Sequence, residues 1–314
     1  MDGYLNNTFT GNKDPGKNEQ VVRGSLLWNP SQRLSVVGKI EKGFFDVDDR
    51  HSQISNPGRF LQVFQTLDPR EDGIFNQNRS VGGEGLFSEE FNQANNDNFA
   101  LRVDYKIDEY TLTSVTGYSA YEYQEIVDAD VSALSLLQAR IDQEFDQWSQ
   151  EVRLASPLWR RFDYMIGAYY QNNRLDNEEN LILDLAQIGT PVAGTRHNTF
   201  VQDSRTYSAF AHGSWHLMEQ LSLTAGLRYT DEEKKVFKHQ VIADLGTTNP
   251  NPRLEPFFGA ALGSFPHTLV DSRSEADLSP EVGLQFDLNE NVLLYARSRG
   301  RFQRRLQRWP KGLR

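Results

Sequence analysis

Apolar and polar residues alternate along this chain in five pairs of runs, and a short turn joins the two runs of each pair. The clearest pair covers residues 99–107 and 110–118, with Asp108 and Glu109 between them. Every second residue of the first run is apolar. A period of two is the signature of a β-strand, and a two-residue connection makes the pair a hairpin. The pattern therefore predicts antiparallel hairpins.

The other four hairpins are predicted over residues 21–45, 148–171, 207–229 and 282–296. Long polar stretches separate the hairpins, and the two largest cover residues 46–97 and 231–276. Residues 133–140 could form one or two helical turns within another loop. A further partial strand near residues 3–9 would bring the total to ten or eleven strands.

Strand length and loop asymmetry together indicate a membrane protein. Strands of about 9–11 residues are long enough to cross a bilayer at a tilt, and outer-membrane barrels join them by short periplasmic turns and long extracellular loops. We therefore predict an all-β fold, the wall of an antiparallel transmembrane β-barrel. Five aromatic residues near the short turns predict an aromatic girdle at that membrane surface, namely Trp28, Tyr105, Tyr110, Trp159 and Trp215.

Composition narrows the class of protein further. The net charge of −10 argues against a general nucleic-acid binder, which carries a basic face. No cysteine is present, so disulfides and thiolate metal sites are excluded. The mean hydropathy is −0.61 and no run of about 18 apolar residues occurs, which excludes a helical membrane span. The chain opens without the basic start and apolar core of a signal peptide, so we expect the leader that an outer-membrane precursor needs to be missing here.

Two other readings of the alternation remain open at this point. A soluble secreted β-sandwich that binds carbohydrate also alternates, and it should fold without detergent. A hydrolase on a β-scaffold would need carboxylates that converge in space, which a sequence cannot show. No phosphate-binding loop, nucleophile elbow or zinc-protease motif occurs.

Four strings resemble wall strands of TonB-dependent outer-membrane receptors, and they occur in the order of that family. They are Leu-Thr-Ser-Val-Thr-Gly-Tyr at 112–118, Trp-Ser-Gln-Glu-Val-Arg-Leu-Ala-Ser-Pro at 148–157, Ala-Gly-Leu-Arg-Tyr-Thr at 225–230, and Leu-Ser-Pro-Glu-Val-Gly-Leu at 278–284. The resemblance covers most of residues 21–302. Each string alone is weak evidence, whereas four in order are strong evidence.

The resemblance implies a barrel of about 22 strands with a plugged lumen in the Gram-negative outer membrane. It implies uptake of a scarce, large nutrient, typically a ferric siderophore, driven by TonB, without enzymatic activity or a cofactor. The expected partners are outer-membrane lipid, the nutrient and, in the intact receptor, TonB, but not nucleic acid. The signal peptide, the TonB-contacting motif and the plug of the family are not found in this sequence. We therefore predict that residues 1–302 are a fragment, roughly half of a barrel, which does not transport by itself.

Residues 303–314 differ from the rest of the chain, because they hold five basic residues and no acidic one. A basic tail that binds nucleic acid or lipid is one explanation. The other is a frameshift, since one extra base after codon 302 would convert a family-like continuation into the residues present at 301–314. We predict that this tail is aberrant and frameshifted.

Polar residues that alternate with the apolar ones are expected to face the lumen, where they could pair with a plug or contact cargo. The candidates are Arg102, Asp104, Glu151, Arg153, His212, His216 and Arg228. His212 and His216 have the spacing of a helical metal site, but four residues of a strand span roughly 13 Å, too far to share one ion. Asp46, Asp48 and Asp49 lack the glycine of a calcium loop. We therefore predict no metal site.

Overall fold

The computed structural model describes residues 5–6, 13–14, 16–47, 62, 65–66, 90–130, 136–158, 161–289 and 291–300, and the backbone of 302–306. The long strands are β3 (Lys17–Ser31), β4 (Leu34–Val47), β5 (Phe91–Ile107), β6 (Tyr110–Asp128), β7 (Leu137–Ala155), β8 (Phe162–Asp184), β9 (Ala193–Met218), β10 (Leu221–Asp244) and β11 (His267–Asn289). The last described strands are the shorter β12 (Val292–Arg299) and β13 (Phe302–Leu306). Two residues each form β1 (Leu5–Asn6) and β2 (Lys13–Asp14).

Strands β3 to β12 form one antiparallel sheet in which every strand pairs with its neighbours in the sequence. β13 continues the line of β12, because both pair with β11 in one register: Glu281 opposes Arg299 and Leu278 opposes Phe302. The sheet has ten strand positions, and β3 does not pair with β12 among the residues that the structure describes. The all-β fold and the incomplete barrel wall are confirmed. Of the partial strand predicted near residues 3–9, the structure describes Leu5 and Asn6, which pair with β2 in a separate two-stranded sheet.

Local chemistry explains the hairpins. The connection between β5 and β6 is the predicted Asp108-Glu109 turn, and Asp108 adopts a left-handed φ of 53°. Aspartate tolerates that conformation better than most residues do. The turn at 219–220 joins β9 and β10 equally tightly. Tight turns fix the register of each hairpin, and the alternation of apolar residues then fixes which side chains share a face.

The strands are much longer than the predicted 9–11 residues, since β5 to β11 have 17 to 26 residues. The loop predicted over 231–276 is wrong at both ends, because β10 continues to Asp244 and β11 begins at His267. The helical turns predicted over 133–140 are also wrong where the structure describes them, because β7 begins at Leu137. These extensions carry polar residues on both faces, so the period of two disappears although the ladder continues. The predicted loop over 46–97 lies mostly outside the described residues.

The connection between β10 and β11 contains the helix α1 (Glu255–Leu262), and a 3-10 helix (Ala186–Ile188) lies between β8 and β9. Phe258 and Leu254 pack on Leu183, Val192 and Ile242, which forms a small apolar core at the long-loop end of the sheet. In the part of the chain that the structure describes, no helix has the length and apolar character needed to span a membrane.

Candidate functional site: the two faces of the wall

Cross-strand register separates the side chains into an apolar face and a polar face. One row of the apolar face joins Leu34, Tyr105, Leu112, Leu154, Ile166, Ala211, Leu227 and Pro280. The next row joins Val36, Val103, Ser114, Val152, Ala168, Ala209, Tyr229 and Leu278. Many of these large apolar side chains are exposed. A continuous exposed apolar band of this kind requires an apolar surrounding.

The few polar side chains within the apolar band satisfy one another. Thr116 Oγ1 donates to Gln150 Oε1 at 2.6 Å, and Gln150 Nε2 donates to Ser114 Oγ at 2.8 Å. Pairing within the band removes most of the cost of placing these groups in an apolar medium. The three residues therefore fit a lipid-facing surface.

Aromatic side chains border the apolar band at the end with the short turns, as predicted. Tyr105 and Tyr110 flank the tight turn of their hairpin, and the ring of Trp215 lies 4.7 Å from that of Phe162, centroid to centroid. We call this lower belt the set Trp28, Tyr105, Tyr110, Phe162, Tyr164 and Trp215, all on the apolar face. Trp159, the remaining member of the predicted girdle, lies outside the described residues.

A second belt borders the band at the other end, and sequence reasoning missed it. This upper belt consists of Phe99, Tyr118, Trp148, Tyr170, Tyr207 and Tyr229. Its rings contact across strands: Trp148 and Tyr170 are 5.6 Å apart, and Tyr170 and Tyr207 are 4.9 Å apart, centroid to centroid. The sequence contains a signal for this upper belt in the spacing of aromatic residues along single strands. Tyr118 follows Tyr110 by eight residues, and Tyr207 precedes Trp215 by eight.

Both belts run obliquely across the rows. In the lower belt, Trp28 on β3 lies in the row of Val36. On β9 that row contains Ala209, whereas the belt residue Trp215 lies six residues further toward the short turns. Six residues over six strands is a stagger of one residue per strand, which gives a strand tilt of about 35°. Eight residues between belts then span about 22 Å along the membrane normal, close to the apolar band of outer-membrane barrels.

All seven candidate polar residues lie on the opposite, polar face. Asp104, Thr113, Arg153, Gly167, Phe210 and Arg228 form one row, and Arg102, Val115, Glu151, Tyr169, Ser208 and Thr230 form the next. His212 and His216 follow Phe210 on β9 by two and six residues, so they share its face. The register thus places on one face candidates from four different strands, β5, β7, β9 and β10.

Most of the candidates are partnered within the wall. Arg102 Nε donates to Asp104 Oδ2 at 2.7 Å, and Thr113 Oγ1 donates to the other oxygen of the same carboxylate at 2.6 Å. Arg153 Nη1 donates to Glu151 Oε1 at 3.1 Å. Each pair is two residues apart on one strand, so both side chains project from the same face. Because these groups are partly exposed, each pair contributes little to the stability of the fold.

The two histidines do not act together. His216 Nε2 lies 2.8 Å from Asp163 Oδ1, and its Nδ1 lies 2.9 Å from Ser222 Oγ. His212 lies four residues earlier on the same strand, beside Gly226 of β10. His216 therefore belongs to a polar cluster that joins β8, β9 and β10.

Arg228 occupies the centre of a second cluster, whose aromatic members sequence reasoning did not select. Its guanidinium carbon lies 5.8 Å from the ring centroids of both Tyr169 and Phe210. Its Nη2 donates to Ser208 Oγ at 3.1 Å. Tyr169 precedes Arg228 by 59 residues and Phe210 precedes it by 18, so only the register of three strands reveals the contact.

A groove of about 490 Å³ adjoins Arg228 on the polar face of β10, β11 and β12. Its charged lining consists of Arg228, Arg299, Glu232, Glu275 and Asp277. The groove is open and carries both signs of charge. It therefore suits a polar surface of mixed charge better than an apolar ligand.

The sequence family described as TonB dependent receptor-like, beta-barrel, matches residues 23–304. The chain belongs to the TonB-dependent receptor family. The match covers the barrel part of that family of receptors, and the plug is not shown.

Solved structures of TonB-dependent receptors share the fold. The ferric yersiniabactin uptake receptor FyuA from Yersinia pestis is 14% identical with a TM-score of 0.58, and it covers 91% of this chain. The ferric-catecholate import receptor Fiu from E. coli K12, in its open form, is 12% identical with a TM-score of 0.60 and also covers 91%. The ferric citrate transporter FecA is 8% identical with a TM-score of 0.53 and covers the same share. The chain spans 40%, 47% and 36% of those three structures.

Proposed function

We propose that the chain supplies part of the wall of a Gram-negative outer-membrane receptor that imports a large, scarce nutrient, with ferric siderophores as the leading class. The observation that carries the proposal is the apolar band between two aromatic belts, backed by a polar face. Lipid would cover the apolar face, and the polar face would line the lumen. The similar receptors named above handle ferric complexes, which supports this class of cargo.

By itself the chain does not transport. β3 and β12 form the edges of the sheet among the described residues, and open backbone edges are not stable within lipid. In the intact receptor, we propose, a plug outside the described wall gates the pore and contacts TonB. The chain therefore acts only when further strands and a plug complete it. We propose neither a catalytic role, a cofactor nor a nucleic-acid partner for it.

Of the seven candidates, we propose that His212 and Arg228 contact a plug or cargo, and that the others chiefly organise the wall. Arg102, Asp104, Glu151 and Arg153 already pair with one another, and His216 is held by Asp163 and Ser222. Arg228 instead borders an open groove. A side chain at such a groove can reach a molecule in the lumen without breaking an ion pair.

The division into a partial barrel over 1–302 and a frameshifted tail over 303–314 remains part of the proposal. Within this tail the structure describes only the backbone of 303–306, which belongs to β13. Sequencing the gene across codon 302 tests the frameshift. If the alternative frame encodes no receptor-like strand, the tail is an original part of the protein.

The uptake proposal is tested with the neighbouring DNA. We expect a plug-encoding frame upstream and closing strands downstream. We call the product of these reading frames, fused in register with the present one, the joined receptor. It should allow an iron-starved strain without siderophore receptors to grow on ferric siderophores, and only when TonB is present. The 314-residue chain alone should give no growth. A joined protein that reaches the outer membrane folded but binds no ferric siderophore contradicts the proposed cargo.

The alternative function, carbohydrate binding by a soluble β-sandwich, is not favoured. A sandwich needs two sheets that face each other. All the long strands that the structure describes belong to one sheet. Their apolar side chains lie exposed on one face of it rather than between two sheets.

A further inference from the structure

A polar groove lies on the outer face of the wall, well above the upper belt. This outer groove, of about 780 Å³, is bounded by Arg140, Asp142, Glu178, Asn180, Thr195 and the loop of residues 246–249. Arg140 precedes Trp148 by eight residues on β7, and Asn180 follows Tyr170 by ten on β8. Both separations are even numbers of residues, and the strand pairing continues without a register shift. The groove therefore lies on the same face as the belts.

The position of the outer groove follows from strand geometry. Eight to ten residues at a tilt of about 35° place it roughly 20–30 Å above the upper belt along the membrane normal. It opens away from the polar face, so cargo that moves through the lumen does not pass it. What surrounds a barrel at this height is the saccharide part of the glycolipid in the outer leaflet.

The lining of the outer groove suits hydroxyl groups. Arg140 forms a two-point ion pair with Asp142, with distances of 2.7 Å from Nε and 3.0 Å from Nη2. Asn180 Nδ2 donates to Glu178 Oε1 at 3.1 Å, and Asn180 Oδ1 lies 2.9 Å from His197 Nδ1. Adjacent carboxylate, amide and guanidinium groups offer both donors and acceptors, which is what neighbouring hydroxyls of a sugar require.

One rim of the groove is held in place before any ligand binds. The Gly246 amide donates to Thr195 Oγ1 at 2.9 Å, and the Asn249 amide donates to Thr247 Oγ1 at 3.1 Å. Gly246 has a φ of 69°, a conformation that glycine adopts without strain. A rim that is already ordered loses little entropy on binding.

Charge selects among the polar ligands. The lining has one guanidinium against two carboxylates, and that guanidinium is already paired, so a phosphate would meet net repulsion. Ile182 is the one large apolar residue of the lining, which leaves an apolar ligand without a surface. With phosphates and apolar ligands excluded, a neutral sugar is the ligand class that suits this lining.

We propose that the outer groove binds neutral sugar residues of the lipopolysaccharide that surrounds the wall. This inference rests on the proposed function, because that function places the groove in the saccharide layer. The bound sugar would anchor the exposed part of the wall laterally to the outer leaflet. It is a contact with the membrane rather than a step of transport.

The test uses the joined receptor in detergent micelles, with its sheet content checked by circular dichroism. The probe is the oligosaccharide released from lipopolysaccharide by mild acid, titrated by calorimetry. We expect saturable binding that Asn180→Ala and Glu178→Ala each weaken by about tenfold, the effect of losing one or two hydrogen bonds. Glu233→Ala is the matched control, because Glu233 is also an outward acid of the exposed wall, paired with Lys235 outside the groove.

Three results would overturn the inference: no saturable binding, unchanged binding by both groove variants with normal sheet content, or complete competition by inorganic phosphate. Because the probe carries no lipid and no iron, its failure leaves the uptake proposal standing. Conversely, a joined receptor that binds the oligosaccharide but no ferric siderophore would contradict the proposed function alone.

Discussion

The ring of Phe210 on β9 covers Gly167 on β8, so closely that a Cβ on Gly167 would lie 2.9 Å from Phe210 Cε2 and 2.9 Å from the Val152 carbonyl oxygen. Contacts this short do not occur for real Cβ atoms. The glycine therefore gives the ring its position, and the ring in turn lies beneath the guanidinium of Arg228.

Gly167→Ala is expected to displace the Phe210 ring and to lower the free energy of unfolding by about 1–3 kcal/mol, as overpacking does. Gly38→Ala on β4 is the matched control, because a Cβ there meets nothing within 4 Å. Its expected effect is neutral or slightly stabilising, since alanine loses less backbone entropy than glycine. Urea unfolding of the joined receptor in micelles measures both. Equal effects at the two sites would show that the ring can move without cost.

Arg228→Ala removes a contact with two rings and a hydrogen bond to Ser208. We expect a loss of about 1–2 kcal/mol in the free energy of unfolding. A double-mutant cycle with Tyr169→Leu separates the aromatic part, for which a coupling of about 0.5–1 kcal/mol is expected. A coupling of zero would mean that Tyr169 and Arg228 are neighbours without mutual stabilisation.

The two belts predict the depth of individual side chains in a bilayer. In chains that keep one tryptophan each, Trp148 and Trp215 should be quenched most by lipids brominated near the headgroup. A tryptophan placed at Ile166, midway on β8 between Phe162 of the lower belt and Tyr170 of the upper belt, should be quenched most by lipids brominated deep in the acyl chain. Fluorescence quenching of the joined receptor in lipid vesicles is the measurement. Identical depth profiles for the three positions would contradict the assignment of the belts.

Phe258 is fully buried in the small core at the long-loop end, whereas its neighbour Phe257 is 46% exposed. Phe258→Ala should destabilise the connection between β10 and β11 by about 3–5 kcal/mol, through lost burial and a cavity. Phe257→Ala should have little effect. Hydrogen exchange at the amides of α1 reports the change locally, and unaltered protection in the Phe258 variant would show that the helix is held by other contacts.

The sequence predicts the fold where one face of a strand meets lipid and the other meets water. Residues 99–118 show this clearly, and the structure has the expected hairpin there. Above the upper belt both faces of the sheet are exposed to water. Residues 231–235 are therefore five charged residues in a row, although they lie within β10. No periodicity can reveal a strand in such a segment. Pairing with β9 and β11, which is non-local, holds it in the sheet.

The polar site shows the same limit. Alternation within each strand is enough to place the seven candidates on the polar face, because the direction of a side chain depends only on its own strand. The seven are Arg102, Asp104, Glu151, Arg153, His212, His216 and Arg228. The partners of Arg228 depend on the register between strands. Tyr169 and Phe210 become its neighbours through two separate ladders, which no local pattern encodes.

The oblique course of the belts has a consequence for the size of the opening that a completed wall would enclose. A stagger of one residue per strand, continued around about 22 strands, gives a shear number near 22 and a backbone-to-backbone diameter of about 40 Å. A cylinder of that width admits a folded plug domain as well as a bulky metal chelate. The slant of the two belts, together with the number of strands, would thus set the width of that opening.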